Sequence, residues 1–217
     1  LPVERFIKRK SGIYQLFVSL KGDTFAWTEE KASDQLLKEV TFIEDEIGKS
    51  FPLDYQSEIN FAARSWVDYL GTFIKHGVVF LFDYGVSRRE YYAIDRNDGW
   101  IRCHYRHYAH NNPLIYPGIQ DLTSWIDFSA VAHSAYKAGL NIMGYQNQSQ
   151  FFLGGGLENE IVRIANFPID EKIKLLNEIK ILTLPSEMGE NFKFMALGQG
   201  NINSLTTFDY ADRRQVL

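Results

Sequence analysis

Short apolar runs alternate with glycine-containing turns over the first thirty residues of the chain. Residues 3–8, 13–20 and 24–27 are rich in β-branched and aromatic side chains, and Gly12 and Gly22 separate them. Runs of this length, broken by glycine, are typical of antiparallel strands joined by tight turns. The pattern predicts a small β-meander.

The hydrophobic period then changes. Within residues 29–47, apolar side chains such as Leu36, Val40 and Ile43 recur every three or four positions, and Gly48 follows them. This spacing places the apolar side chains on one face of a helix, and glycine commonly ends a helix. The pattern predicts an amphipathic helix.

Strand-like and helical patterns alternate through the rest of the chain. Residues 78–82 form an unbroken apolar run, and similar runs at 140–145 and 192–197 follow helical segments. An unbroken apolar run is typical of a strand covered on both faces, and the alternation predicts an α/β sheet. Residues 83–128 show neither period, so we predict an irregular functional insertion there.

The composition excludes several classes of protein. The chain has 217 residues, which fits one large domain or one domain with an insertion, and its formal charge of −4 disfavours sequence-independent binding to nucleic acid. The longest apolar run, residues 78–82, is far too short to span a bilayer, so we expect no membrane span and no signal segment. The single cysteine, Cys103, excludes an intrachain disulfide and favours a cytoplasmic or organelle-matrix location.

Asp83 is the first candidate for a functional residue, because it directly follows the strand predicted at residues 78–82. Ligands of open α/β sheets bind beyond the carboxyl ends of the strands. A second interpretation remains open, in which Asp83 caps a turn that Gly85 permits. Asp121 and Asp127, which flank Thr123, could hold a cation or accept a proton, although for Asp127 we favour a helix cap.

Two other patterns point to ligand sites only superficially. Cys103, His104, His107 and His110 are zinc-type ligands, but their spacing gives no closed set of four and arginines lie between them. We therefore predict no metal and a polar, arginine-rich binding loop. The glycine-rich residues 154–156 precede acidic side chains and predict a flexible helix junction rather than a phosphate-binding loop.

Several short motifs occur in one order and spacing along the chain. They are Phe82-Asp83-Tyr84-Gly85, Glu90-Tyr91-Tyr92, Arg106-His107, Asn112-Pro113-Leu114, Pro117-Gly118, Asp121-Leu122-Thr123, Asp127-Phe128, Leu184-Pro185-Ser186-Glu187-Met188-Gly189-Glu190, Phe192-Lys193 and Asp212-Arg213-Arg214. Together these motifs resemble the MidA family of S-adenosylmethionine-dependent methyltransferases.

The resemblance implies an α/β fold with a Rossmann-like class I methyltransferase sheet whose last strand is antiparallel. Residues 78–82, 140–145 and 192–197 would be its fifth, sixth and reversed seventh strands. Residues 1–57 would then be an inserted β-meander and helix, and residues 58–217 the carboxyl-terminal part of the methyltransferase domain. The cofactor loop of the family would lie upstream of Leu1.

The resemblance also implies a reaction, in which S-adenosylmethionine is the cofactor and an arginine of a protein substrate is the acceptor. On the matching positions, Asp83, Asp121 and Glu58 would be catalytic. The residues implied to bind the acceptor are Tyr84, Gly85, His107, Thr123 and Asp127. A homodimer is a further expectation.

Two other functions remain open from the sequence. The chain could be a noncatalytic interaction module or a fragment without the cofactor loop, which would bind a partner through its aromatic insertion. A nicotinamide-dependent oxidoreductase shares the sheet architecture, but it needs a dinucleotide-binding glycine loop, and we find none in the sequence.

Overall fold

The computed structural model describes residues 2–217 and has a mixed α/β fold. The chain forms two compact units, the first of residues 2–65 and 88–127 and the second of residues 66–87 and 128–217. In chain order the elements are β1 (Glu4–Arg9), β2 (Gly12–Lys21), β3 (Thr24–Lys31), α1 (Asp34–Ile47), β4 (Gln56–Ile59), α2 (Phe61–Phe73), β5 (Gly77–Val86), α3 (Arg88–Tyr91), β6 (Arg102–Tyr105), β7 (Tyr108–His110), β8 (Asp121–Thr123), β9 (Ile126–Asp127), α4 (Phe128–Lys137), β10 (Asn141–Asn147), α5 (Gln148–Gly154), α6 (Leu157–Ile164), α7 (Ile169–Thr183) and β11 (Phe192–Gln199). None of the helices among the described residues is long and apolar enough to cross a membrane.

In the first unit, β1 to β4 form an antiparallel sheet in the order β3-β2-β1-β4. Gly12 and Gly22 lie in the two turns with φ of 131° and 62°, a region that other residues rarely adopt. The predicted meander is confirmed. However, β3 continues to Lys31 instead of ending at residue 27, because its pairing with β2 extends to Tyr14.

The predicted amphipathic helix is α1, and both of its ends are capped. The Ser33 hydroxyl accepts the Leu36 N–H at 3.2 Å, and Gly48 ends the helix with φ of 68°. Leu36, Val40 and Ile43 are fully buried, as their spacing predicted. The helix begins at Asp34 rather than near residue 29, because the residues before it complete β3.

The stretch predicted to be irregular contains regular pairing. Strands β6, β7 and β8 form a small antiparallel sheet in the order β7-β6-β8. These strands have only three or four residues each, which is too short for an alternating pattern to stand out in the sequence.

In the second unit, β11 lies between β10 and β5 and is antiparallel to both. Helix α2 lies close to the residue that follows α4, because a Cβ atom at Gly71 would lie 2.4 Å from the Ala138 carbonyl oxygen. Only glycine allows this distance, so Gly71 fixes how closely α2 approaches the end of α4.

Strand β5 differs from its prediction in two respects. It continues to Val86, so Asp83, Tyr84 and Gly85 lie inside the strand and not in a loop after it. Phe80 and Phe82 remain 39% and 55% exposed, so the run at residues 78–82 is not covered on both faces by the described residues. An apolar run therefore predicted the strand correctly but not its burial.

The outer edge of β10 is covered by residues close to the end of the chain. The Arg213 N–H donates to the Tyr145 carbonyl at 2.7 Å, and Arg214 Nη1 donates to the Ile142 carbonyl at 2.8 Å. These two carbonyl groups point away from β11, and the bonds give them hydrogen-bond partners that the sheet does not supply.

Candidate functional site

Three predicted site residues, Asp83, Tyr84 and Gly85, lie on β5 in the second unit. Strand β11 holds them in place, because the rings of Tyr84 and Phe192 are 3.9 Å apart and the Gly85 N–H donates to the Asn191 carbonyl at 3.4 Å. Strand pairing therefore fixes the position of all three residues.

Asp83 is a half-buried carboxyl group. Its Oδ1 accepts the Tyr84 N–H at 2.8 Å. Burial raises the pKa of Asp83 above its usual value, and the Tyr84 N–H acts in the opposite direction. Lys193 is directly opposite on β11, and opposite residues of antiparallel strands project to the same face. This face of the sheet therefore carries a carboxyl group and an ammonium group on neighbouring strands.

Lys193 belongs to a polar cluster that the sequence did not identify as a site. Its ammonium group donates to the main-chain oxygen of Glu190 and lies 3.9 Å from the Glu190 carboxylate. That carboxylate also accepts from Arg213 at 2.8 Å and from Asn147 Nδ2. The signal in the sequence was the motif at residues 184–193, which came without a role for these side chains.

Asp121 and Thr123 lie together on one face of the small sheet in the first unit. Asp121 is directly opposite His104 on β6, and Thr123 is directly opposite Arg102. Directly opposite residues share a face, so these four polar side chains form one patch. The predicted polar, arginine-rich binding region is thus part of a sheet rather than a loop.

The other zinc-type residues of this segment do not join that patch. Cys103 is buried and pairs with His110, so both project to the face opposite His104. His107 is exposed in the turn between β6 and β7, with φ of 68°. Within residues 2–217, no group of three or more His, Cys, Asp or Glu side chains is placed to hold a metal ion.

Asp127 forms a largely buried ion pair with Arg88. Arg88 Nε lies 3.3 Å from Asp127 Oδ2, and the guanidinium group stacks 5.1 Å from the centre of the Phe42 ring. The sequence around Asp127 is compatible with a helix cap or an acceptor contact, but it gives no sign of Arg88, which is 39 positions away.

Glu58 is fully buried in the first unit, and both of its carboxylate oxygens are engaged. Oε1 accepts from Arg5 Nε at 3.0 Å, and Oε2 accepts the Trp100 N–H at 2.8 Å. Burial raises the pKa of Glu58, while Arg5 and the Trp100 N–H lower it. This environment favours a structural role, because Glu58 is 0% exposed and its charge is already paired with Arg5.

Replacing Gly99 with alanine is expected to destabilise this buried pair. A Cβ atom at Gly99 would lie 2.2 Å from Glu58 Oε1, and the φ of 75° is unfavourable for alanine. We expect the free energy of unfolding to fall by about 1–3 kcal/mol. Equilibrium unfolding in urea measures this, and Gly118→Ala, at a similar φ of 78° but in open space, isolates the effect of the contact with Glu58. Equal losses in the two variants would contradict a specific role for the contact.

A cavity of about 490 Å³ lies between the meander and residues 113–124 of the first unit. Arg5, Trp27, Leu122 and Thr123 contribute to its walls, and the Arg5 guanidinium group lies 5.2 Å from the centre of the Trp27 ring. Most of the wall is apolar. Of the residues predicted to bind the methyl acceptor, Thr123 borders this cavity.

Two glycine-rich stretches, residues 154–156 and residues 198–200 at the end of β11, do not form an open cradle for a cofactor. A Cβ atom at Gly154 would lie 2.0 Å from the Thr207 carbonyl oxygen, and Gly156 begins α6 with φ of 95°. Cβ atoms at Gly198 and Gly200 would meet Met143 and His76, respectively. These glycines allow close internal packing, as the predicted helix junction at residues 154–156 requires. We therefore assign cofactor binding to neither stretch.

Comparison with known proteins identifies a family. A family model described as "Putative S-adenosyl-L-methionine-dependent methyltransferase" matches residues 1–146. The chain is also 29% identical over 126 residues to the Drosophila melanogaster protein named "Protein arginine methyltransferase NDUFAF7 homolog, mitochondrial". That match covers 57% of the chain and 27% of the fly protein.

Two crystal structures of Burkholderia thailandensis proteins have the same fold over the whole chain. A native structure superposes with a TM-score of 0.92 at 30% sequence identity, and a structure bound to S-adenosyl-homocysteine superposes with a TM-score of 0.90 at 29% identity. The chain spans 57% and 55% of the lengths of these two proteins, respectively.

Proposed function

The chain belongs to the family of S-adenosyl-L-methionine-dependent methyltransferases whose model it matches, and from this we propose that it carries the acceptor side of a protein arginine methyltransferase. The observation that carries the proposal is the extent of the match. Residues 1–146 include all eight predicted site residues. The choice of arginine is supported by the name of the fly relative.

The proposed acceptor explains why carboxylates are needed. An arginine guanidinium group is always charged, so a carboxylate must orient it and take up the proton released on methylation. Asp127 and Glu58 already bind Arg88 and Arg5. We therefore propose Asp83 and Asp121 for this role, and we retain Tyr84, Gly85, His107 and Thr123 as residues that contact the acceptor.

We propose that β5, β10 and β11 correspond to strands five, six and reversed seven of a class I methyltransferase sheet. Their order β10-β11-β5 and the antiparallel direction of β11 support this assignment. The division into an inserted meander and helix at residues 1–57 and a methyltransferase portion at residues 58–217 stays a prediction; its boundary falls within β4, where Glu58 and Ile59 pair with β1. The location, cytoplasmic or in the mitochondrial matrix, stays a prediction.

Isotope-labelled S-adenosylmethionine tests the proposed function with two proteins, the 217-residue chain and a version extended upstream. We expect the extended version to label arginine in a protein acceptor. Labelling of lysine alone would contradict the proposed acceptor. Cofactor binding without transfer to any acceptor would favour the noncatalytic interaction module.

The 217-residue chain by itself is expected to bind S-adenosylmethionine with a dissociation constant weaker than the low micromolar range. The physical reason is that both glycine-rich stretches pack against neighbouring parts of the chain. Isothermal titration calorimetry measures the affinity directly, with the extended version as the positive control. Low micromolar binding by the 217-residue chain would contradict this expectation.

A further inference from the structure

Strand β3 forms an open edge of the meander. Among the described residues it pairs only with β2, over the eight positions Thr24–Lys31. The Ala32 N–H donates to the Ile13 carbonyl, so the even-numbered residues direct their main-chain groups toward β2. Because these groups alternate along an antiparallel strand, the N–H and C=O groups of Phe25, Trp27 and Glu29 point outward.

The face of the sheet beside this edge is apolar and exposed. Trp27 is directly opposite Val18, and Phe25 is directly opposite Leu20. These side chains share one face, and their exposure ranges from 36% for Trp27 to 72% for Leu20. A long edge strand beside an exposed apolar surface is a template for adding another strand.

Symmetry restricts how a second copy of β3 could pair with this edge. A two-fold axis perpendicular to the sheet makes the strands antiparallel, and directly opposite residues must share a face. Odd-numbered residues of one copy therefore lie opposite odd-numbered residues of the other. The axis passes midway between the two copies of a single residue. Since Trp27 directs its main-chain groups outward, centring the axis on Trp27 lets the two copies of Trp27 exchange both main-chain hydrogen bonds.

Charge selects this register over its neighbours. With the axis at Trp27, Lys31 of each copy lies beside Asp23 of the other, the turn residue that directly precedes β3. With the axis at Ala26, Glu29 would face Asp23, so like charges would meet; Lys21 belongs to β2 and lies outside this edge. With the axis at Thr28, Lys31 would face Phe25. Asp23 and Lys31 are both exposed and form no ion pair with the described residues 2–217.

We propose that β3 is a homodimer interface, in which two copies of the chain join their meanders into one continuous antiparallel sheet centred on Trp27. Self-complementarity favours a second copy over a peptide of another protein. The Asp23 and Lys31 contacts form twice, and the apolar faces of the two meanders become continuous.

Sedimentation equilibrium of the 217-residue chain over a range of concentrations tests the interface. We expect a dimer at micromolar concentrations. Phe25→Pro removes an outward N–H without affecting the pairing with β2, so it is expected to weaken dimerisation by at least about tenfold with an unchanged circular dichroism spectrum. Ala26→Pro is the matched control, because it removes an N–H that bonds to β2 and is expected to disrupt the meander itself.

The register has its own test. Lys31→Glu places two like charges opposite each other in each half of the interface, so it is expected to raise the dissociation constant by about tenfold. Adding Asp23→Lys to the same chain restores opposite charges and is expected to restore dimerisation. A monomeric wild type, a dimer insensitive to Phe25→Pro, or no restoration in the double variant would each overturn the proposal. If the wild type is monomeric and Phe25→Pro instead abolishes acceptor binding, the edge serves the acceptor and not a second copy.

Discussion

Replacing Asp83 with asparagine is expected to lower the rate of methyl transfer by about 10²- to 10⁴-fold, the usual range for losing an acid–base group. Asparagine has nearly the same shape and can still accept the Tyr84 N–H, so stability is expected to change by about 1 kcal/mol or less. Turnover by the extended version of the protein and its melting temperature are the two measurements. Asp121→Asn is expected to show the same separation of activity from stability.

The pH dependence of turnover adds a second readout for Asp83. Burial raises the pKa of Asp83, and only the ionised form can orient a guanidinium group. Activity of the wild type is therefore expected to fall on acidification, with a midpoint above the value of about 3.9 that is usual for aspartate. The Asp83→Asn variant is expected to lose this acidic limb.

Asp170→Asn provides the matched control for both aspartates, because Asp170 is an exposed carboxylate in the first turn of α7. It is expected to leave turnover unchanged. If Asp83→Asn and Asp121→Asn retain wild-type turnover but melt earlier, these aspartates are structural. The catalytic carboxylate would then have to be sought elsewhere.

The largest effect on stability is expected from Arg5→Met, which leaves the buried Glu58 without its cation. Removing one partner of a buried ion pair costs about 3–5 kcal/mol. Urea unfolding monitored by tryptophan fluorescence measures the loss, since Trp27, Trp100 and Trp125 all lie in the first unit. A loss below about 1 kcal/mol would contradict the importance of the pair.

The loss caused by Arg5→Met is expected to depend on pH in one direction. Burial raises the pKa of Glu58 in the folded state, and without Arg5 this effect is stronger. A group with a raised folded pKa contributes stability below its unfolded pKa, and this contribution is lost as the pH rises through the folded pKa. The variant is therefore expected to be closest to the wild type in acid and furthest from it at neutral pH.

Two further variants distinguish the effect of breaking a buried ion pair from the effect of removing any charge. Arg163→Met breaks an exposed ion pair with Glu160 at 2.9 Å and is expected to cost about 0–0.5 kcal/mol. The double variant Arg5→Met with Glu58→Gln removes both charges but keeps an acceptor for the Trp100 N–H. It is expected to recover most of the stability lost in Arg5→Met.

The parts of the fold that follow from local chemistry could be predicted from the sequence. The turns at Gly12 and Gly22 depend on positive φ, and the end of α1 at Gly48 depends on the same property. The buried stripe of α1 depends on spacing alone. Each of these signals acts within a few residues, so no knowledge of the tertiary structure was needed.

The surroundings of the candidate site could not be predicted in the same way. The partner of Glu58 is 53 positions away, and the partner of Asp127 is 39 positions away. No periodicity connects residues so far apart, so the sequence suggested a catalytic role for Glu58 and a helix cap for Asp127 and gave no sign of either ion pair. Asp83 was placed after β5 rather than inside it, because the pairing that extends the strand comes from β11, more than 100 residues later.

The outer edge of β10 is covered, unlike the open edge of β3, and this matters for handling the protein. Residues 212–214 shield the outer edge of β10. A version shortened before Asp212 would expose main-chain carbonyls of β10, which lies beside the apolar strand β11. Such an edge can recruit strands from other molecules without any limit set by symmetry. Residues 212–214 therefore protect this edge of the sheet against aggregation.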